Sequence, residues 1–185
     1  MRFGTDGVPY LFLAIGLDDA VPCARWLLDN EAYPAYFYSI LPAAEVSYQA
    51  ALGRLVVEFG EDMTHGGSFE EFAVRFHQTV KGASGATSVV ETILTLDGGG
   101  TARYATRAGR IDYSGAAFEV TTEFAIRVGD EIFTGEPARL GDSDLGAGPI
   151  GDDAEYTCEA DVLRFRFLNP ELPGLAPVRF HRIEE

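Results

Sequence analysis

Residues 42–59, Pro42-Ala-Ala-Glu-Val-Ser-Tyr-Gln-Ala-Ala-Leu-Gly-Arg-Leu-Val-Val-Glu-Phe59, decide the fold. Taken at a helical period, Val46, Ala50, Leu52, Leu55, Val56 and Phe59 approximate one apolar face. Proline is tolerated in a first helical turn, and Glu45 complements the positive end of a helix. The stretch therefore predicts a buried central helix over about 43–58. A second helix is expected over 68–80, where Ser68 and Glu71 make the Ser-x-x-Glu capping box ahead of Phe72, Ala73, Phe76 and Val80. Gly66-Gly67 and Lys81-Gly-Ala-Ser-Gly85 bound it.

Outward from these helices the chain reads as strands. Upstream, the short apolar run Val8–Ile15 fits a first strand covered on both faces, and Ala24–Leu28 reads as a strand with a helical turn as the alternative. Downstream, Phe118, Val120, Thr122, Phe124, Ile126 and Val128 alternate with more polar residues, the period of a strand with one buried face. Gly129-Asp130 then supplies a two-residue hairpin turn, and Ile132 and Phe133 begin the return strand. Further strands are expected at 87–96 and 101–111, separated by Asp97-Gly-Gly-Gly100, and near 154–168 and 174–184. The polar stretch 141–153 reads as a loop. Two units follow: residues 1–141, and a carboxy-terminal extension over 142–185 packed on the same domain.

Charge narrows the function. The 185 residues carry 14 Lys+Arg against 29 Asp+Glu, a formal charge of −15, which excludes a nucleic-acid clamp and a partner for anionic membrane. Apolar residues at 46% and charged residues at 23% place the chain in the globular class. No apolar run approaches the roughly 20 residues of a membrane span, and the expectation is a cytoplasmic protein. Cys23 and Cys158 stand far apart and His65, His77 and His181 lack ligand spacing, so neither a metal site nor a cofactor motif is read.

The expected order, strands, a buried helix, then antiparallel strands, suits an α+β hot-dog sheet wrapped around its helix, and also a cone-shaped helix-plus-sheet fold. Two segments decide between them. Tyr36-Phe37-Tyr38 followed by Leu41-Pro42-Ala43, and Tyr104 to Leu140 with its Gly129-Asp130 turn, resemble the 3-hydroxyacyl-[acyl carrier protein] dehydratases of the 3-hydroxydecanoyl type. The matches cover roughly 8–60 and 87–141. The resemblance implies dehydration or isomerisation of an acyl thioester, an acyl carrier protein as partner, and a homodimer or a heterodimer with another hot-dog subunit. It departs from the family where chemistry is done. Ser39-Ile40 stands where the catalytic histidine belongs, and Tyr48 occupies the place of the catalytic acid.

Glu45 and Tyr48 are accordingly the candidate catalytic residues, Glu45 as a surrogate acid or base. Backbone N–H groups around Ala43 and Ala44 would polarise a thioester carbonyl from the helix start. Tyr36, Tyr38, Gln49 and His77 complete the expected substrate contacts, and Arg103, Arg107 and Arg110 are a candidate carrier-docking face on one strand. Two further classes stand beside this reading: a cone-fold binding protein or cyclase enclosing a hydrophobic metabolite, and an acidic interaction or immunity protein for a basic partner.

Overall fold

Alternation with a period of two, interrupted by local register shifts, governs most of the described residues. The computed structural model describes residues 24–41, 46–81, 85–140, 153–168 and 174–184. Their elements are β1 (Ala24–Leu28), α1 (Tyr33–Ile40), β2 (Val46–Phe59), β3 (Thr64–Lys81), β4 (Thr87–Arg107), β5 (Arg110–Val128), β6 (Glu131–Thr134), β7 (Ala138–Leu140), β8 (Ala154–Glu159), β9 (Val162–Phe167) and β10 (Val178–Ile183).

Each of β1 to β5 pairs antiparallel with the next, β5 pairs with β8, and β8, β9 and β10 continue in order back to β1. The result is a closed, eight-stranded antiparallel barrel, the size at which side chains just fill the interior or leave room for one small ligand. The closing seam is narrow: Arg110 and Ile111 face Glu155 and Ala154, and Tyr156 N–H donates to the Gly109 carbonyl at 2.8 Å. Strands β2 to β5 continue past the closed ring as a twisted sheet, with β6 and β7 paired on the far half of β5.

Only Val56–Phe59 of β2 pair with β1, so the rest of β2 presents an edge on that side. The loop after β1 and α1 cover it. Tyr38 hydroxyl accepts the Tyr48 N–H at 2.8 Å, and the Asn30 side-chain amide donates to the Gly53 carbonyl at 3.4 Å. The same helix drives Tyr36 and Phe37 into the upper end of the barrel, where Phe37 packs on Phe76 and Tyr36 on Phe167. Below them Trp26, Leu55, Val57, Phe59, Phe72, Leu163, Phe165 and Phe180 fill the interior. Burial of each such large side chain is worth about 2–3 kcal/mol at most.

This architecture corrects the expected hot-dog fold. The described part of the segment read as a central helix at 43–58, from Val46, is β2, and the segment read as a helix at 68–80 is β3. Bulges are the cause in both. In β2 the register slips between Tyr48 and Ala50 and again between Leu52 and Arg54, which scatters the apolar positions into helix-like spacing. In β3 it slips between Phe69 and Phe72, where Glu71 takes a left-handed φ of 49°, so an inward pair stands three residues apart as on a helix. Ser68 caps nothing. It lies mid-strand opposite Val56 and Gly99.

Asp97-Gly-Gly-Gly100 is likewise no turn, because β4 runs through it. A Cβ on Gly100 would stand 2.6 Å from the Phe118 Cα, so glycine permits close approach of β4 and β5. The strand at Ala24–Leu28, a strand over 118–128 and the turn at Gly129-Asp130 agree with the sequence reading, but the expected buried face of 118–128 is limited to Phe118 and Val120, with Phe124 and Val128 exposed. The expected strand Val8–Ile15 lies outside the described residues. Among the described residues no helix is long and apolar enough to cross a membrane.

Candidate functional site: the lower end of the barrel

The pairing register stacks the interior in layers. Ala24 faces Phe59 and Phe59 faces His65, which faces Ala102 across β4, while Trp26 and Val57 form the layer above. His65 falls inward because it shares parity with Gly67 and Phe69 on β3. Its side chain is fully buried, and neither ring nitrogen has a hydrogen-bond partner. Phe59 stacks on it at 4.7 Å, and Tyr113 lies against it at 4.9 Å. Burial pushes the imidazole pKa down from 6.5 to about 4, so it is neutral at physiological pH. Burial also pushes the Tyr113 hydroxyl well up, with the Tyr104 and Asp153 charges adding to it.

An imidazole without partners in an apolar interior is costly, since a buried polar group forfeits its hydration without compensation. Trp26 Nε1, one layer above, is a second buried donor without a partner. Directly below, a cleft of about 620 Å³ opens between the ends of β1, β2, β9 and β10. Ala24, Phe59 and Ile183 are its apolar lining, and Glu58, Glu61, Asp161 and Glu184 with Arg25 and Arg182 give it a charged rim. Phe59 belongs to both places: the residue borders the cleft, and its ring, with the residue only 1% exposed, stacks on His65.

No protein family, no curated protein and no solved structure matches this chain.

The residues singled out from sequence are distributed elsewhere. Tyr36 is buried in α1, and Tyr38 caps the β2 edge. Tyr48 lies on β2 among Tyr33 and Phe37, its hydroxyl reaching the Asn30 carbonyl at 3.5 Å, and burial raises its pKa. Gln49 is exposed and bonds Ser47, and His77 sits on β3 opposite Glu91. Ala43, Ala44 and Glu45 lie outside the described residues. Tyr36, Tyr38 and Tyr48 thus come together at the upper mouth, in a packing and edge-capping role. The arginines do not share a strand: Arg103 and Arg107 are on β4, Arg110 on β5 facing Arg107.

One polar cluster lies outside the barrel. The Asp29 carboxylate hydrogen-bonds His181 Nε2 at 2.9 Å, accepts the N–H groups of Glu31 and Ala32 at 3.0 and 3.2 Å, and forms an ion pair with Arg179, whose Nε lies 3.0 Å away. Burial opposes its ionisation, but the His181 hydrogen bond, the Ala32 N–H, the Arg179 charge and the Glu31 N–H outweigh that and hold its pKa below the usual value. These contacts clamp the β1–α1 loop onto β10. Among the described residues no group of His, Cys, Asp and Glu is placed to hold a metal ion.

The sequence carried little sign of His65. Only its parity with Phe69 marks it as inward, and that parity reads correctly only once the segment is taken as a strand.

Proposed function

We propose that this chain is a binding protein that takes an apolar small molecule into the lower end of its barrel, seated in the cleft and against Phe59 and His65. The observation that carries this reading is the fully buried His65, both ring nitrogens unpartnered, stacked on Phe59, which borders an open cleft. Native interiors rarely leave such a group alone unless something completes it. A cleft of this volume is within the range of small-molecule sites, and here Ala24, Phe59 and Ile183 are the apolar residues inside a charged rim.

The acyl-thioester dehydratase expected from sequence depended on a helix start to polarise the carbonyl. That start, Ala43 to Glu45, lies outside the described residues, and the chain beyond it, from Val46, is β2 and not a helix. Acyl chains, free or carrier-linked, belong among the ligands to test.

Trp26 is the one tryptophan and lies inside the barrel, so it reports on the interior. Titration with N-phenyl-1-naphthylamine is expected to give saturable dye fluorescence at one site per chain, with parallel quenching of Trp26. Because Ile132 and Phe133 are exposed apolar residues on β6, the double variant Ile132→Ser/Phe133→Ser supplies the control. Binding that persists in the variant supports the reading. Dye binding that never saturates, or that the variant abolishes, overturns it.

A further inference from the structure

We propose that the ligand of this site carries a neutral hydrogen-bonding head, an alcohol in preference to a carboxylate, and that His65 is the group that reads it. The inference rests on the binding reading above and specifies its ligand class.

Three observations carry it. Among the described residues no lysine or arginine is buried, so the interior offers no cation to pair with a carboxylate. A carboxylate drawn into it would lose hydration without a counter-charge. The rim sets four carboxylates, Glu58, Glu61, Asp161 and Glu184, against Arg25 and Arg182, and Arg25 is already engaged by Glu58 at 3.6 Å. An anion therefore meets net negative charge on entry as well as in the chain at large.

The third observation is the imidazole itself. A neutral imidazole holds one N–H donor and one lone-pair acceptor, and on His65 both are unused. A hydroxyl donates and accepts, so one alcohol can satisfy either ring nitrogen in either tautomer. A ligand reaches it when the Phe59 ring, the side chain common to the cleft and the imidazole, swings aside. A flat apolar body then takes the place of that ring against His65.

The test is a matched series at neutral pH: 2-naphthalenemethanol, 2-methylnaphthalene and 2-naphthoate, each competed against N-phenyl-1-naphthylamine. They share a ring system and differ in the head. The alcohol should bind about tenfold more tightly than the hydrocarbon, as expected for satisfying a buried polar group. The carboxylate should bind more weakly than the alcohol by at least the same factor. In His65→Phe, which keeps an aromatic ring beside Phe59, alcohol and hydrocarbon should converge.

A carboxylate that binds as well as the alcohol overturns the inference, as does an alcohol preference that survives in His65→Phe. The wild-type series decides without the variant if the variant does not fold. Should the dye itself fail to bind, the binding reading falls. Should the dye bind and the series rank the other way, only the choice of ligand class falls.

Discussion

Replacing His65 by phenylalanine should change how stability depends on pH more than it changes stability at neutral pH. In the unfolded chain the imidazole titrates near its ordinary 6.5, and in the barrel burial holds it to about 4. Between those values the unfolded state binds a proton that the native state refuses. Stability therefore falls as pH drops through this window, at about 1.4 kcal/mol per pH unit. From pH 7 to pH 5 the wild type should lose about 2 kcal/mol on account of His65 alone. His65→Phe has no such term. The many carboxylates and the Asp29 cluster titrate in both proteins and cancel in the difference. Urea unfolding followed by Trp26 fluorescence at the two pH values measures it. At pH 7 the variant should be at least as stable, because an unsatisfied buried polar group is replaced by an apolar ring. Stability curves that run parallel from pH 7 to pH 5 would refute the reasoning, for they would mean that the imidazole is hydrated or paired in the native state.

Four other substitutions probe the frame. Gly53→Ala, at a left-handed φ of 71° where a Cβ would run into the Glu71 backbone, should cost more than about 1 kcal/mol in urea unfolding. Tyr38→Phe removes the acceptor for the Tyr48 N–H on the β2 edge and should cost about 1 kcal/mol, with faster amide exchange at Tyr48. Phe59→Ala empties the floor of the barrel and should lower stability by about 3–5 kcal/mol in the same assay. Asp29→Asn should cost about 1 kcal/mol at neutral pH, because a carboxyl held below its ordinary pKa adds stability above that range. As pH falls through the carboxylate range that contribution is lost, and thermal melts of the two proteins should converge.

How much of this was legible in the sequence depends on where the alternation runs unbroken. Phe118 to Val128 lies in one strand without an interior slip, so the strand and the Gly129 turn could be read directly, but its buried face holds only at Phe118 and Val120, while Phe124 and Val128 are exposed. Val46 to Phe59 and Ser68 to Val80 each contain bulges, and every bulge shifts the apolar phase by one residue. Two slips in fourteen residues of β2 make a strand resemble a helix, and nothing local separates the cases. Val56 shows why: it is buried although its neighbours Leu55 and Val57 are too, so the run carries no clean alternation. The candidate site followed the misread elements. Tyr36, Tyr38 and Tyr48 were found as a group because they are close in sequence, and they meet at the upper mouth. His65 depends on Phe59, Tyr113 and Ala102, which come together only through the pairing of β2, β3, β4 and β5.

The central claim is that an apolar ligand occupies the lower end of the barrel against Phe59 and His65. Isotope-filtered nuclear Overhauser spectra of the labelled protein, saturated with unlabelled N-phenyl-1-naphthylamine, test it most directly. The account predicts cross-peaks from the dye to the ring protons of Phe59 and His65 and to Ala24. Cross-peaks confined to exposed residues such as Phe124, Ile132 and Phe133 would contradict it.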